Sequence, residues 1–342
     1  MTNSISVPDG FPELEGLRKL LTPWHGTTAF VISMLDTSGA MLGNNGDKLM
    51  HTVFYRILED LNITITTNGN EAAVIIVPPN GALLEVYQFP RLLAERLRGF
   101  EQLPLVIFPS SAYFATTNPI FMFEGRKAKT LWIFREKFSF DHIRSKWGQQ
   151  LSDAGIEIEL DHDVVATGHK FVPELFKSHR VAELRALVAG RIDREARPIG
   201  ENRPAQGLAT ARLFGRASRL IPYGRLRTTL TRQLRRERLV SAGTEMMTSL
   251  GTPPVIHGSP RFVDASATQY ATFQEYLSWI AGSSIVVTNR LHVALPAAIL
   301  GKDVVLVEAG YHKLEGVYMQ SLVRVDNVQF VNPHHPFEVG AS

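Results

Sequence analysis

The amino-acid sequence predicts an α/β fold made of two domains, each built around a parallel β-sheet. Its 342 residues are about twice the length of a common single domain. Short apolar runs typical of buried strands alternate with helical segments through the first half, which is the pattern of a parallel α/β sheet. The same alternation begins again near residue 185. We therefore predict an N-terminal extension over residues 1–26, a first domain over 27–184 and a second over 185–342.

Six runs in the first predicted domain have the composition of strands, because apolar and β-branched residues are flanked there by Gly, Pro or Asn. Helices are expected over Leu49–Leu58, around Leu92–Arg98 and over Phe138–Leu151. The segment Pro78–Gly81 is expected to end a strand and turn the chain. The predicted strands are Ala29–Leu35, Ile63–Thr67, Ala72–Val77, Pro104–Pro109, Thr130–Phe134 and Ile156–Leu160.

The second predicted domain begins with a strand over Arg185–Ala189. After a basic segment, the pattern predicts a helix, a strand, a helix and a further strand. These elements are Tyr270–Ile280, Ser284–Thr288, Leu291–Leu300 and Val304–Val307.

The composition excludes several classes of function. The chain has no Cys, which excludes disulfide scaffolds, thiolate metal sites and Cys nucleophiles. No run approaches the roughly 18 apolar residues of a transmembrane helix, and residues 1–11 lack the pattern of a secretory signal. We therefore expect a cytoplasmic protein.

Positive charge is concentrated in one part of the chain. Lys and Arg together number 36 and Asp and Glu 33, a net charge of +3. Residues 197–238, the basic segment, contain eleven Arg and two Glu, so this segment carries +9 and the remainder −6. Apolar residues alternate with the Arg residues. A solvated surface and an anion-binding surface explain such a segment about equally well.

Polar residues follow the predicted strand Ser284–Thr288, at the start of the next helix: Asn289, Arg290 and His292. Ligands bind at this end of a parallel sheet, because the helix N-terminus offers free N–H groups and a partial positive charge. Arg290 could hold an anion and His292 could donate or accept a proton. In the structural alternative, Asn289 caps the helix, Arg290 pairs with an acid and His292 binds a carbonyl group.

The loop Gly43–Asp47, between the first strand and its helix, is a second candidate site. Gly and Asn tolerate positive φ, so successive N–H groups, with that of Asn45 among them, could form a site for an anion or a hydroxyl group. Asp47 could serve there as a base or accept a hydrogen bond from a sugar hydroxyl. The loop matches neither a Walker loop nor a dinucleotide-binding loop. A helix capped by Asp would have the same sequence.

Two more cationic residues follow predicted strands. Arg135 follows Thr130–Phe134, and Lys313 lies beyond Val304–Val307. Both could face the same cleft, although a solvated charge run is the commoner explanation. Neither the His334–His335 pair nor the Asp161–Asp163 cluster has the spacing of a metal-ligand set, so no metal site is predicted.

Seven motifs occur in order along the chain: GNNGDKL at residues 43–49, VIIVPPNGAL at 74–83, FREKFS at 134–139, Asp163 at a strand end, GRIDRE at 190–195, VVTNRLH at 286–292 and AGYHKLEGVY at 309–318. Taken together, they resemble the polysaccharide pyruvyl transferase family. The resemblance extends from about Thr27 to Val323, and the spacing of the motifs is its specific part. At Asn289 the family has Asp before Arg-Leu-His, so this chain favours a capping or hydrogen-bonding role there over an acidic one.

The resemblance implies two Rossmann-like domains facing a cleft, as in GT-B glycosyltransferases. It also implies transfer of a pyruvyl group from phosphoenolpyruvate, the co-substrate, to two hydroxyls of a sugar, with release of phosphate and without a cofactor. The acceptor would be a lipid-linked exopolysaccharide precursor. His292 would protonate the donor, and Asp47 would orient or deprotonate the acceptor. The residues expected to bind substrate are Arg290, Arg135, Lys313, Asn45 and Asn289.

Two other functions also fit the sequence. One is a sugar-nucleotide glycosyltransferase that uses Arg290 and the Gly43 loop to bind a diphosphate. The other is a non-catalytic component of polysaccharide assembly at the membrane surface. A lipid-linked acceptor must be met at a bilayer, so anionic lipid is the favoured partner of the basic segment and nucleic acid is not expected. We therefore expect peripheral attachment to the inner face of the cell membrane.

Overall fold

The structure, a computed structural model, contains two parallel β-sheets with helices packed on them. It describes residues 7–32, 43–177, 184–191, 225–250, 254–256, 258–309 and 312–333, with the backbone alone for 184 and 225–235. The α/β class and the parallel sheets predicted from the alternating pattern are confirmed. The division at residues 26/27 and 184/185 and the GT-B-like arrangement stay predictions.

The first sheet has the order β2-β1-β3-β5-β6-β7, and β4 pairs with β5 beyond the end of β3. Pro78 and Pro79 do not turn the chain, contrary to the prediction. They interrupt a strand that resumes at Asn80 beside the same neighbour, because proline has no N–H to donate to the ladder. The strands are β1 (Thr28–Val31), β2 (Thr64–Thr66), β3 (Val74–Val77), β4 (Asn80–Leu84), β5 (Leu105–Tyr113), β6 (Thr130–Phe134) and β7 (Ile156–Leu160).

The second sheet has the order β12-β11-β10-β8-β9, and all of its pairs are parallel. Counted along the chain, both sheets place their first strand between the second and the third. The strand order therefore reverses at β1/β3 in the first sheet and at β8/β10 in the second. The strands are β8 (Leu184–Ala189), β9 (Arg261–Phe262), β10 (Ser283–Thr288), β11 (Asp303–Val307) and β12 (Val328–Val331).

The helices of the two halves pack directly against each other. Helix α2 contacts α9, and α5 contacts α9 as well. One hydrophobic cluster contains Phe54, Ile133, Leu187 and Leu295, so the core is continuous from one sheet to the other. The helices are α1 (Glu15–Leu20), α2 (Asn45–Asp60), α3 (Phe89–Arg96), α4 (Lys137–Asp153), α5 (Val164–Thr167), α6 (Val172–Phe176), α7 (Arg225–Thr248), α8 (Phe273–Gly282), α9 (Leu291–Ile299) and α10 (Lys313–Ser321).

The basic segment falls only partly within the described residues. Residues 197–224 lie outside them, and the rest belongs to α7, where the side chains of Arg236 and Arg238 are exposed. Among the helices of the described ranges, none combines the length and the apolar character needed to cross a bilayer.

Candidate active site

The carboxyl ends of the two sheets meet at a small cavity of about 140 Å³. Ligands of open α/β sheets bind outside the carboxyl ends of strands, near the point where the strand order reverses. Five of the seven residues singled out from the sequence line this cavity, and Arg191 joins them. The five are Asp47, Arg135, Arg290, His292 and Lys313.

Asp163 connects Arg135 to His292 at the bottom of the site. Its carboxylate is fully buried, and Oδ2 accepts a hydrogen bond from Nη1 of Arg135 at 2.9 Å. Nε2 of His292 lies 3.3 Å from the same oxygen, while Oδ1 accepts the N–H of Val165 at 2.9 Å. Burial opposes ionisation of Asp163, but His292, Arg135 and the Val165 amide together hold its pKa well below the usual range. The site thus contains a buried carboxylate between two cationic or protonatable side chains.

Arg290 is held by a second buried carboxylate. Its Nε donates to Oδ1 of Asp264 at 3.1 Å and its Nη2 to Oδ2 at 2.5 Å, a bidentate pair that fixes the plane of the guanidinium. Arg290 is also the residue that precedes α9, and its side chain does not cap that helix. The buried hydroxyl of Tyr276 donates to the carbonyl of His292, which anchors the first turn of α9. An oriented Arg therefore stands beside a helix N-terminus, a combination that suits an anion.

Lys313 and Arg135 converge on Gly81. Nζ of Lys313 donates to the carbonyl of Gly81 at 3.0 Å. A Cβ atom at Gly81 would lie 2.6 Å from Nζ of Lys313 and 2.8 Å from Nη2 of Arg135. Only glycine allows both cationic groups to approach this point. Nε of Arg135 is fixed in turn by Oγ of Ser111 at 2.8 Å.

Asp47 belongs to a capping box at the start of α2. Its Oδ2 accepts the N–H of Asn44 at 2.8 Å, and the side chain of Asn44 accepts the N–H groups of Gly46 and Asp47. The helix is therefore capped, as the structural alternative proposed, but the N-cap is Asn44 and Asp47 supports it from the first turn. The half-buried carboxylate of Asp47 still lines the cavity.

Asn45 and Asn289 do not line the cavity, although both were expected to bind substrate. Nδ2 of Asn45 donates to the carbonyls of Ala265 and Ala271, at 3.1 and 2.9 Å. Asn45 therefore ties the start of α2 to the second half of the chain. Oδ1 of Asn289 accepts the backbone N–H of Arg191 at 2.7 Å. The structural alternative proposed that Asn289 caps α9, and it does not. Its side chain does have a hydrogen-bonding role.

Several residues of the site were not predicted as site residues. Asp163 and Arg191 lie in quoted motifs but were given no role, and Asp264 and His51 were not singled out. A strand-ending Asp gave a signal for Asp163, whereas His51 lies on the buried face of an amphipathic helix and resembles a core residue.

A larger cavity of about 580 Å³ adjoins the first one. The two share Asp47, Gly81 and Ala82 in their walls. His51 lines the larger cavity one helical turn beyond Asp47, and it is only 6% exposed. Burial lowers the pKa of His51, and nearby Asp47 and a hydrogen bond with the Pro79 carbonyl partly oppose this effect.

Comparisons with known proteins agree with the fold and with the motifs. A crystal structure of an uncharacterized protein from Klebsiella pneumoniae subsp. pneumoniae matches with a TM-score of 0.55 and 17% identity. The alignment covers 93% of this chain and 97% of the other chain. At this identity the likeness concerns the fold alone. No curated protein matches significantly. The family model of polysaccharide pyruvyl transferase matches residues 259–310, the part that contains Asp264, Arg290 and His292, and within these residues it supports the predicted resemblance to that family.

Proposed function

We propose that this protein transfers the pyruvyl group of phosphoenolpyruvate to two hydroxyls of one sugar in an exopolysaccharide precursor. The observation that carries the proposal is the convergence of Arg135, Arg191, Arg290 and Lys313 on the cavity that contains His292. The family match supports a transferase of this kind. The acceptor proposed is lipid-linked and is met at the cytoplasmic face of the membrane.

The donor fits the charge of the small cavity. Phosphoenolpyruvate has a carboxylate and a phosphate, and both need cationic partners when they leave water. The bidentate pair with Asp264 orients Arg290, and the N-terminus of α9 adds N–H groups beside it. Lys313 and Arg135 supply a second cationic pair near Gly81. We assign Arg290 with the N-terminus of α9 to one anionic group of the donor, and Lys313 with Arg135 to the other.

His292 is the proposed general acid. Its Nε2 is turned toward Asp163, so Nδ1 is the atom assigned to give a proton to C3 of the donor. Protonation of C3 makes C2 electrophilic, and a sugar hydroxyl then forms a bond to C2. The C2–O bond to phosphate breaks next, and a second hydroxyl of the same sugar closes the cyclic ketal. Two hydroxyl protons are released in all; one restores His292 through solvent and the other leaves with phosphate.

Donor binding tests the proposal most directly. Phosphoenolpyruvate at 100 times its dissociation constant should stabilise the folded protein by about 2.7 kcal/mol. Nucleotide sugars at the same concentration should stabilise it much less, and inorganic phosphate serves as the anion control. Phosphate release from phosphoenolpyruvate should require a sugar acceptor, whose mass should then increase by one pyruvyl ketal. Stabilisation by nucleotide sugars alone would reject the proposal.

A further inference from the structure

The larger cavity lies between α2, the junction of β3 with β4, and α3. Its volume of about 580 Å³ is within the range of small-molecule sites, roughly 300–1,000 Å³. Because Asp47, Gly81 and Ala82 line both cavities, a ligand in the larger one would directly adjoin a donor in the smaller one. The arrangement provides neighbouring sites for two reactants.

The two cavities differ in charge. Among the described residues, four cationic side chains and Asp47 line the smaller one, whereas one cationic residue, Arg91, and two carboxylates, Asp47 and Glu95, line the larger one. A second anionic ligand is therefore disfavoured in the larger cavity. Its remaining walls combine amide side chains with apolar ones, which suits a ligand that has many hydroxyls and an apolar C–H face. These side chains are Asn80, Gln88, Met50, Phe89 and Leu92.

His51 is placed to contact such a ligand. Asp47 and His51 are four residues apart on α2 and so lie on one face of the helix. Burial lowers the pKa of His51, which favours the neutral form of the ring. A neutral imidazole has one donor and one acceptor nitrogen. The N–H of the ring donates a hydrogen bond to the Pro79 carbonyl. The other ring nitrogen is therefore the one that can accept a hydrogen bond.

Asp47 is less suited to take a proton itself. Its Oδ2 is engaged by the N–H of Asn44 in the capping box. The carboxylate is nevertheless close enough to stabilise positive charge on His51. Asp47 therefore supports a proton acceptor one turn along the helix.

We propose that the larger cavity binds a pyranose unit of the acceptor and that His51 accepts the proton of the hydroxyl that attacks the donor. This inference rests on the proposed function. As the bond from the hydroxyl oxygen to C2 forms, its O–H bond breaks and the proton passes to the imidazole of His51. Solvent then takes that proton, and the second hydroxyl gives its proton to the departing phosphate.

Kinetics of two His51 variants test its role. With phosphoenolpyruvate and p-nitrophenyl pyranosides as substrates, His51→Gln and His51→Ala should lower kcat by about 10²-fold or more. The KM for phosphoenolpyruvate should stay within about twofold, and added imidazole should restore part of the turnover of His51→Ala. The matched control is His142→Gln, because His142 also binds a backbone carbonyl, that of Phe114, but lines neither cavity. Wild-type kcat in both His51 variants would overturn the role.

Binding without the donor tests the cavity separately. Saturation-transfer NMR should detect p-nitrophenyl pyranosides on the wild-type protein. Leu92→Trp, which fills the larger cavity, should remove that signal and leave stabilisation by phosphoenolpyruvate unchanged. Undiminished pyranoside signals in a folded Leu92→Trp protein would overturn the assignment. Pyranoside binding that is lost in Leu92→Trp, together with no response to phosphoenolpyruvate in the wild type, would support the sugar cavity and reject the donor.

Discussion

Nε2 of His292 and Oδ2 of Asp163 are 3.3 Å apart, although 129 residues separate them in the chain. Asp163 follows β7 of the first sheet, and His292 lies in α9, which follows β10 of the second. The same carboxylate oxygen also accepts a hydrogen bond from Arg135. The first sheet therefore contributes the Arg135–Asp163 ion pair and the second contributes His292, so the proposed acid is oriented only when the two sheets are in contact.

His292→Gln should separate proton donation from hydrogen bonding. Glutamine can still donate to Asp163, but it cannot give a proton to carbon. We expect kcat to fall by about 10² to 10⁴-fold while the affinity for phosphoenolpyruvate changes little. Steady-state phosphate release and calorimetric titration measure the two quantities. Turnover equal to that of the wild type would show that His292 is not the acid.

Arg290→Lys should fail in two ways. An ammonium group cannot reproduce the bidentate pair with Asp264, and the buried carboxylate loses one of its hydrogen bonds. We expect the melting temperature to fall and the affinity for phosphoenolpyruvate to drop by about 1.5 to 3 kcal/mol, the contribution of a charged hydrogen bond. Lys129→Arg is the surface control, since its pair with Glu157 is exposed. Wild-type affinity in Arg290→Lys would remove Arg290 from the donor site.

Asn289→Asp should be tolerated, because a carboxylate oxygen can accept the N–H of Arg191 as the amide oxygen does. Asn289→Ala removes that acceptor and should cost about 1 kcal/mol of unfolding free energy. Thermal unfolding and turnover of both variants check this. If Asn289→Ala lost turnover at unchanged stability, the amide would contact substrate instead.

The folded protein should lose stability between about pH 4 and pH 7 through Asp161. Burial raises the pKa of Asp161 to about 7 from 3.8, and a hydrogen bond with the His162 backbone only partly opposes this. The folded state therefore holds the proton more tightly than the unfolded chain. The resulting stability is complete below about pH 4 and is lost as the pH rises through 7.

Asp161→Asn should consequently raise the melting temperature at pH 8 and leave it nearly unchanged at pH 4. The gain at pH 8 is expected to reach at most about 4 kcal/mol, since the pKa rises by about three units and one unit is equivalent to about 1.4 kcal/mol. Calorimetry at the two pH values distinguishes this from a packing effect, which would shift both equally.

The basic segment should bind anionic vesicles reversibly. Each basic group near an anionic surface contributes roughly 1 kcal/mol, so even half of the +9 charge would retain the protein at low salt. Binding should weaken strongly at high salt, because exposed charges are screened. Sedimentation with anionic and neutral vesicles measures this. Equal binding to both vesicle types, or binding to nucleic acid alone, would contradict the prediction.

Most strands could be predicted because a buried parallel strand is a continuous apolar run. Thr130–Phe134 and Ile156–Leu160 are strands with the bounds that the sequence predicts. Strand β4 was missed because Pro78 and Pro79 have the local pattern of a turn. What continues that strand is its pairing with β5, about 30 residues further along the chain. The residues of a strand do not show which other strand it will pair with.

The candidate site was predictable to a similar extent. Arg135, Arg290 and Lys313 were found because each follows the carboxyl end of a parallel strand, which is where ligands of such sheets bind. Their partners were not found, because they are distant in the sequence. Asp264 is 26 residues from Arg290, and Asp163 is 129 residues from His292. The contacts of Asn45 illustrate the same limit, because its two carbonyl partners lie more than 200 residues away.

The amide of Asn45 determines how this molecule can move. A rotation that opened the cleft by swinging one half away would break both of its hydrogen bonds and the bond from its backbone to Ser266. It would also split a core that runs through both halves, at the cost of exposing apolar surface to water. Wide hinge opening is therefore energetically unfavourable at this seam. We therefore expect ligand exchange to proceed by movements smaller than a separation of the two halves.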